Sequence, residues 1–130
     1  MRAEVQGFIL PKLPEQGKAL VYVVRPAVTG TLIRFNVFLD DKEANSEMGY
    51  TRGKQYIYFN VEPGKHNILS KAENWASVEV DAKAGDVFFI QQEVNMGIVM
   101  ARNNLFRLED YQGKYHVKRL QLGTILKSDR

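Results

Sequence analysis

The chain contains no cysteine, which excludes disulfides, thiolate nucleophiles and cysteine-based zinc sites but assigns no compartment. Histidine is nearly as scarce. His66 and His116 are the two present, and no local spacing adds the further ligands a metal site needs. No apolar run is long enough to span a bilayer as a helix. Near the start, Phe8-Ile9-Leu10 is too short for a signal-peptide core and Glu4 precedes it, so no export signal is expected within these residues. There is no glycine-rich phosphate cradle ahead of a helix. None of Ser46, Ser70, Ser77 and Ser128 sits in a Gly-x-Ser-x-Gly elbow or beside a plausible base.

What is present is enough for one domain. A chain of 130 residues buries about two thirds of the surface its unfolded form exposes and needs no staples. The net charge of +3 is unevenly spread. Residues 101–130 carry an excess of basic side chains, Lys114, Lys118 and Arg119 among them, while the first hundred are slightly acidic. A basic region of this kind meets phosphates or anionic membranes, but no run of adjacent cations occurs and a solvated face is the simpler reading.

Period-two patterning runs through the chain. Residues 1–18 hold two prolines and little periodicity and read as an arm, lying on the domain or partly disordered. Ala19 to Arg25 is β-branched and nearly all apolar, as expected of a strand covered on both faces, and Pro26 ends it. Leu32 to Asp40 alternates, with Ile33, Phe35, Val37 and Leu39 on one face and Phe38 interrupting the polar other. Glu47 to Tyr50 reads as a short edge strand. Tyr56 to Val61, then Glu62-Pro63-Gly64-Lys65, then His66 to Ala72 read as a central hairpin closed by a type II turn, with Glu62 facing Lys65. Trp75 to Asp81, Asp86 to Val94, Ile98 to Ala101, Leu105 to Leu108 and Leu120 to Leu126 are further strands. Glu109 to Arg119 is a candidate helix, weakened by Gly113 in its middle. The fold expected is all-β, an antiparallel sandwich of about 7–9 strands, immunoglobulin-like or transthyretin-like, with that short helix near the C-terminus. The body spans 19–126 between the arm and a tail at 127–130.

The blocks from Gly17-Lys18-Ala19 to Arg25-Pro26, Val37-Phe38-Leu39-Asp40, Tyr56, Val61-Glu62-Pro63-Gly64-Lys65-His66, and Val80-Asp81-Ala82-Lys83-Ala84-Gly85-Asp86-Val87-Phe88-Phe89 together resemble a bacterial family of uncharacterised envelope proteins. Its members are commonly predicted lipoproteins with one small β-sandwich domain. The resemblance runs from about Gly17 to about Leu122. It implies a periplasmic or outer-membrane-anchored location, and it implies no activity and no catalytic residue. Two departures stand out: the family's leader with a lipid-modified cysteine is not in this sequence, and the usual Asp-Gly turn is Asp40-Asp41. Membrane association would come only through such a leader; without one upstream, the location expected is the cytoplasm.

Several constellations bear on chemistry. Asp41, Glu43, Asn45 and Glu47 alternate in a loop and invite a calcium reading, yet Ser46 and Arg52 stand where an EF-hand loop counted from Asp41 needs Gly and Glu. Glu79 and Glu93 are an acid–base pair only in principle, since strand carboxylates facing solvent are expected anyway. The aromatics are more suggestive. Phe38, Tyr56, Tyr58 and Trp75 fall opposite the core faces, and beside Arg34 and Arg52, with Lys54 nearby, they would make a platform for a ligand; the alternative is that the arm covers them.

The reading is therefore a noncatalytic binding or structural module of the bacterial envelope, a monomer or weak homodimer with an unidentified protein or glycan partner and no metal or cofactor. A small enzyme with a pocket invisible to sequence is one rival. A cytosolic nucleic-acid binder acting through the basic C-terminal region is the other, and it is disfavoured.

Overall fold

β1 (Ala19–Arg25) is buried along its whole length, and its two faces explain the rest of the molecule. Ala19, Val21 and Val23 point into the core between two sheets, whereas Leu20, Tyr22 and Val24 point the other way, into a second apolar cluster under the N-terminal arm and a helix. Each such side chain contributes about 1.5–3 kcal/mol relative to exposure. A strand covered on both faces must be apolar throughout, as this one is.

The computed structural model describes residues 1–96 and 101–127. Among these, β2 (Phe35–Leu39), β3 (Glu47–Thr51), β4 (Gln55–Val61), β5 (Gly64–Lys71), β6 (Trp75–Ala82), β7 (Val87–Met96) and β8 (Ala101–Leu108) follow β1. Helix α1 (Asp110–Arg119) and two short strands, β9 (Gln121–Leu122) and β10 (Thr124–Ile125), complete the order. The first sheet runs β8-β7-β1-β4-β9 and the second β10-β3-β2-β5-β6, so the β-sandwich is as expected. Its first sheet is mixed, because β1 pairs with β7 and β4 with β9 in parallel. An immunoglobulin sandwich places its first strand beside its second; here β1 lies between β4 and β7, so the strand order is not the immunoglobulin one.

The central hairpin is not formed. β4 belongs to the first sheet and β5 to the second, so Glu62 and Pro63 carry the chain across the sandwich. Glu62 pairs with Lys18 at 3.7 Å, and Lys65 stands opposite Asp81 in the β5–β6 ladder. Both strands have the alternation of a hairpin, but alternation assigns faces without naming the neighbour. Three smaller differences follow from the same limit. β2 starts at Phe35, leaving Leu32 to Arg34 in a loop. The expected strand at Ile98–Ala101 lies mostly outside the described residues, and β8 is continuous from Ala101 to Leu108. Leu120 to Leu126 is split into β9 and β10, one on each sheet.

That split closes one side of the sandwich. The chain steps from one sheet to the other at Gly123, and Gly49 of β3 must be glycine because a Cβ there would strike the Thr124 carbonyl. On the opposite side, Asn103 N–H donates to Asn74 Oδ1 at 2.8 Å and Asn74 Nδ2 donates to the Asn103 carbonyl at 2.9 Å, tying the β5–β6 turn to β8.

Helix α1 begins with a capping box between Glu109 and Gln112, which satisfies two otherwise unpaired N–H groups. Gly113, which weakens the helix as a sequence, is what allows it to dock: a Cβ at this position would lie inside the Phe89 ring. The arm lies beside the helix on the same sheet. Phe8 and Leu10 pack on the cluster around Tyr22, the Glu15 N–H donates to Asn60 Oδ1 at 3.0 Å, and Lys118 Nζ donates to the Glu4 carbonyl at 2.6 Å.

Candidate functional site

With the first sheet covered by arm and helix, the outer face of the second sheet is where side chains gather for contact with something else. β2 and β5 are antiparallel neighbours, with Asn36 opposite Lys71 and Phe38 opposite Leu69; Trp75 follows opposite Lys71 on β6. The Phe38 ring meets the edge of Trp75 at 5.2 Å and 64°. Lys42 and Lys71 place their ammonium groups 4.8 and 5.7 Å from the Trp75 ring centre, within cation–π range.

A cleft of about 500 Å³ opens beside this pair, lined by Arg34, Asn36, Phe38, Glu47 and Lys71 among others. Its polar side chains are held in place. Asn36 Nδ2 donates to Glu47 Oε2 at 2.7 Å, because the β2–β3 ladder shifts register between Val37 and Phe38 and brings Glu47 opposite Phe38. The Arg34 guanidinium stacks on Tyr50 at 4.3 Å, and Arg52 approaches the same ring at 5.7 Å. A hydrogen bond with Thr124 lowers the Tyr50 phenol pKa against a smaller desolvation effect, and the two arginines lower it further.

The expected aromatic platform is thus divided between two surfaces. Phe38, Trp75, Arg34 and Arg52 share the outer face of the second sheet. Tyr56 and Tyr58 belong to the first sheet, where both pack on Tyr22 beneath the arm and helix; burial raises the Tyr56 pKa. Parity along each strand is as read from the sequence, but the strands carrying these residues lie on opposite layers. Tyr50 is not among the residues singled out from the sequence: it alternates with Met48 on β3, which the sequence reads as an edge strand but which β10 flanks, so it is an inner strand of the second sheet.

The family can be placed at this point. A family model described as a protein of unknown function, DUF2846, matches residues 15–105. The chain belongs to that family. An uncharacterised protein of Haemophilus influenzae is 23% identical over 110 residues, covering 84% of this chain and 63% of that protein. The chain therefore spans about 63% of the length of the curated relative it matches. No solved structure matches it. In this DUF2846 domain the matched segment contains the whole cleft-bearing sheet apart from β10.

Other candidates are placed as follows. Asp41 accepts from the Glu43 N–H at 3.0 Å and from the Ser46 hydroxyl at 2.5 Å, organising its own loop, while Glu47 turns to Asn36. Among the described residues no group of three or more His, Asp or Glu is placed to share a metal. His66 bridges Asp40, at 2.9 Å from Nδ1, and the Glu62 carbonyl, at 2.7 Å from Nε2. His116 is on α1 over the other sheet. Ser70 accepts from Gln92 Nε2 inside the core at 2.9 Å; Ser77 is on β6, and Ser128 lies outside the described residues. Glu79 and Glu93 stand on different sheets. Of the basic tail, Lys118 holds the arm and Arg119 lies over the Tyr115 ring at 5.2 Å, while Lys114 lines a second cleft of about 560 Å³ between arm, helix and β7. No helix among the described residues is long and apolar enough to cross a membrane.

Proposed function

We propose that this domain is a noncatalytic binding module of the bacterial cell envelope, monomeric or weakly dimeric, that holds a protein or glycan partner on the outer face of its second sheet. The observation that carries the reading is the Phe38–Trp75 pair at the rim of a cleft furnished with Arg34, Asn36, Glu47 and Lys71. A sugar ring or a flat peptide segment packs on the aromatic edge while donors and one acceptor already fixed in direction take its polar groups. The Asn36–Glu47 bond orients that carboxylate as an acceptor for a ligand's hydroxyl or N–H group. The envelope location is supported by the sequence resemblance of the blocks between Gly17 and Leu122.

Trp75 is the sole tryptophan and packs against Phe38, which lines the cleft, so its fluorescence reports on the cleft through that contact. Titration with soluble peptidoglycan fragments and with peptides from envelope proteins is expected to give a saturable change that Trp75→Ala abolishes as a signal, and binding by calorimetry that Lys71→Ala and Arg34→Ala weaken about tenfold, the loss of one charge-assisted contact each. Turnover of any of these compounds that Glu47→Gln abolishes would establish the enzyme reading instead. Salt-sensitive binding of DNA or RNA lost on neutralising Lys114, Lys118 and Arg119 would establish the nucleic-acid reading. Fractionation of the native host, with the protein found only in the cytosol, would remove the envelope assignment.

A further inference from the structure

We propose that the loop joining β1 to β2 is a docking tip that enters the headgroup layer of an anionic phospholipid bilayer. From Pro26 to Ile33 the loop carries no charge, and it holds its large apolar side chains outward: Leu32 is 83% exposed, Val28 57% and Ile33 42%. Met96, at the end of β7, is 53% exposed, and both it and Ile33 flank Gly30. Single exposed apolar residues need no explanation, but four gathered at one end of a sandwich do.

The loop is anchored as a preformed element. Arg25 has no exposed surface; its guanidinium donates to the carbonyls of Ile33 at 2.5 Å, Gly30 at 2.8 Å and Thr51 at 2.9 Å. The Thr31 hydroxyl donates to the Val28 carbonyl, the Gly53 N–H to the Thr31 carbonyl at 2.9 Å, and Arg52 Nε to the Leu32 carbonyl at 3.3 Å. With the carbonyls of Val28, Gly30, Thr31, Leu32 and Ile33 used internally, the tip is held in shape with its apolar side chains outward. That suits insertion into the boundary between headgroups and acyl chains.

Charge complementarity selects a bilayer as the occupant. Strand direction places Arg34, Arg52, Lys54, Lys71 and Arg102 at this end, with Glu73 and Glu93 against them. At the other end Asp40, Asp41, Glu43, Glu62, Asp81 and Asp86 outnumber Lys18, Lys42, Lys65 and Lys83. The domain is thus polarised along its strands, basic around an apolar point, and a negative surface orients it tip first. This inference does not rest on the cleft reading, although the two surfaces adjoin: Ile33, Arg34, Lys71 and Glu73 also line the cleft, and Arg52 reaches the same face.

The test is co-sedimentation of the whole domain with vesicles of phosphatidylethanolamine and phosphatidylglycerol, against vesicles of phosphatidylcholine alone. The wild type is expected to bind the anionic vesicles, less so at high salt. The exposed-position double variant Leu32→Ser, Ile33→Ser should lose at least about tenfold in partitioning while keeping its melting temperature. Arg52→Gln with Lys54→Gln should bring anionic binding down towards the phosphatidylcholine level, and Trp75→Ala should leave vesicle binding unchanged, which separates failure here from failure of the cleft. Because the chain has no cysteine, Leu32→Cys carrying an environment-sensitive fluorophore reports insertion by a blue shift. Failure of the wild type to bind, or equal binding by the serine variant, would overturn the proposal. So would a dimer that the serine variant dissociates while vesicles stay unbound, since the tip would then be an interface with a second copy.

Discussion

The Tyr22 hydroxyl and the Lys12 backbone hold each other twice: the hydroxyl accepts from the Lys12 N–H at 3.0 Å and donates to the Lys12 carbonyl at 2.7 Å. A buried side chain of the central strand thereby fixes the arm. Tyr22→Phe should cost about 1–3 kcal/mol, because two backbone groups lose their partner. Faster tryptic cleavage after Lys12 or Lys18, with the sandwich itself intact, would be the signature of a loosened arm; an unchanged cleavage rate would refute this role.

The same contact has an alkaline signature. Burial pushes the Tyr22 phenol up from 10.0 to about 12. The unfolded chain gives up this proton near pH 10 while the folded one keeps it, so the stabilisation is complete below 10 and is lost as pH rises towards 12. The difference between wild-type and Tyr22→Phe melting curves should therefore shrink across that window, and a constant difference would contradict the assignment.

Gly113 and Phe89 set the distance between α1 and the first sheet. Gly113→Ala gains helix propensity but forces a methyl into the ring, and the expected net loss is about 1–3 kcal/mol by denaturant unfolding. Adding Phe89→Leu should recover part of that loss, which would not happen if the two substitutions were independent.

Arg25 is a cation buried without a carboxylate among its hydrogen-bond partners. It is held by three carbonyls and by the Phe35 ring, 3.9 Å away, and burial lowers its pKa from 12.5 to about 10. Arg25→Met should take the guanidinium donors from all three carbonyls, of which Gly30 keeps the Ile33 N–H, at a cost on the order of 3 kcal/mol. Amide exchange should accelerate from 26 to 34 before it does in β1, and uniform acceleration would argue against a local anchor.

On the acid side, burial, and then the neighbouring Arg119, lowers the His116 pKa below its ordinary 6.5. The unfolded chain then takes up this proton at a higher pH than the folded one. The contribution of His116 is complete above pH 6.5 and is lost as pH falls from 6.5 towards the depressed folded value. His116→Gln should flatten that limb of the stability curve, measured by urea unfolding at several pH values.

Face assignment was legible in the sequence and strand pairing was not. The alternation of Ile57, Phe59 and Val61 with Tyr56, Tyr58 and Asn60 correctly separates core from outer face, as does that of Val37 and Leu39 with Asn36 and Phe38. Which sheet each strand joins depends on contacts between distant residues, so a Pro-Gly turn looked like a hairpin where the chain crosses the sandwich. The same limit gathered Tyr56, Tyr58, Phe38 and Trp75 into one site. Arg25, Asn60 and Gln92 are fully buried, which hydropathy does not anticipate because their polar partners are elsewhere in the chain: the Thr51 hydroxyl donates to Gln92 at 2.5 Å, and the Arg25 guanidinium reaches three carbonyls although its Nε has no partner. In the sequence Gly113 is only a weak point of the helix, since close approach is a property of two elements and the partner, Phe89, lies on a distant strand.

The step at Gly123 means that a few late residues border both layers at once, β9 beside β4 and β10 beside β3. During synthesis those two borders stay unsealed until this segment has emerged, and until then each offers unpaired backbone to any neighbouring nascent chain. Removing or retarding residues 121–125 should accordingly favour entanglement of copies over loss of the sandwich itself.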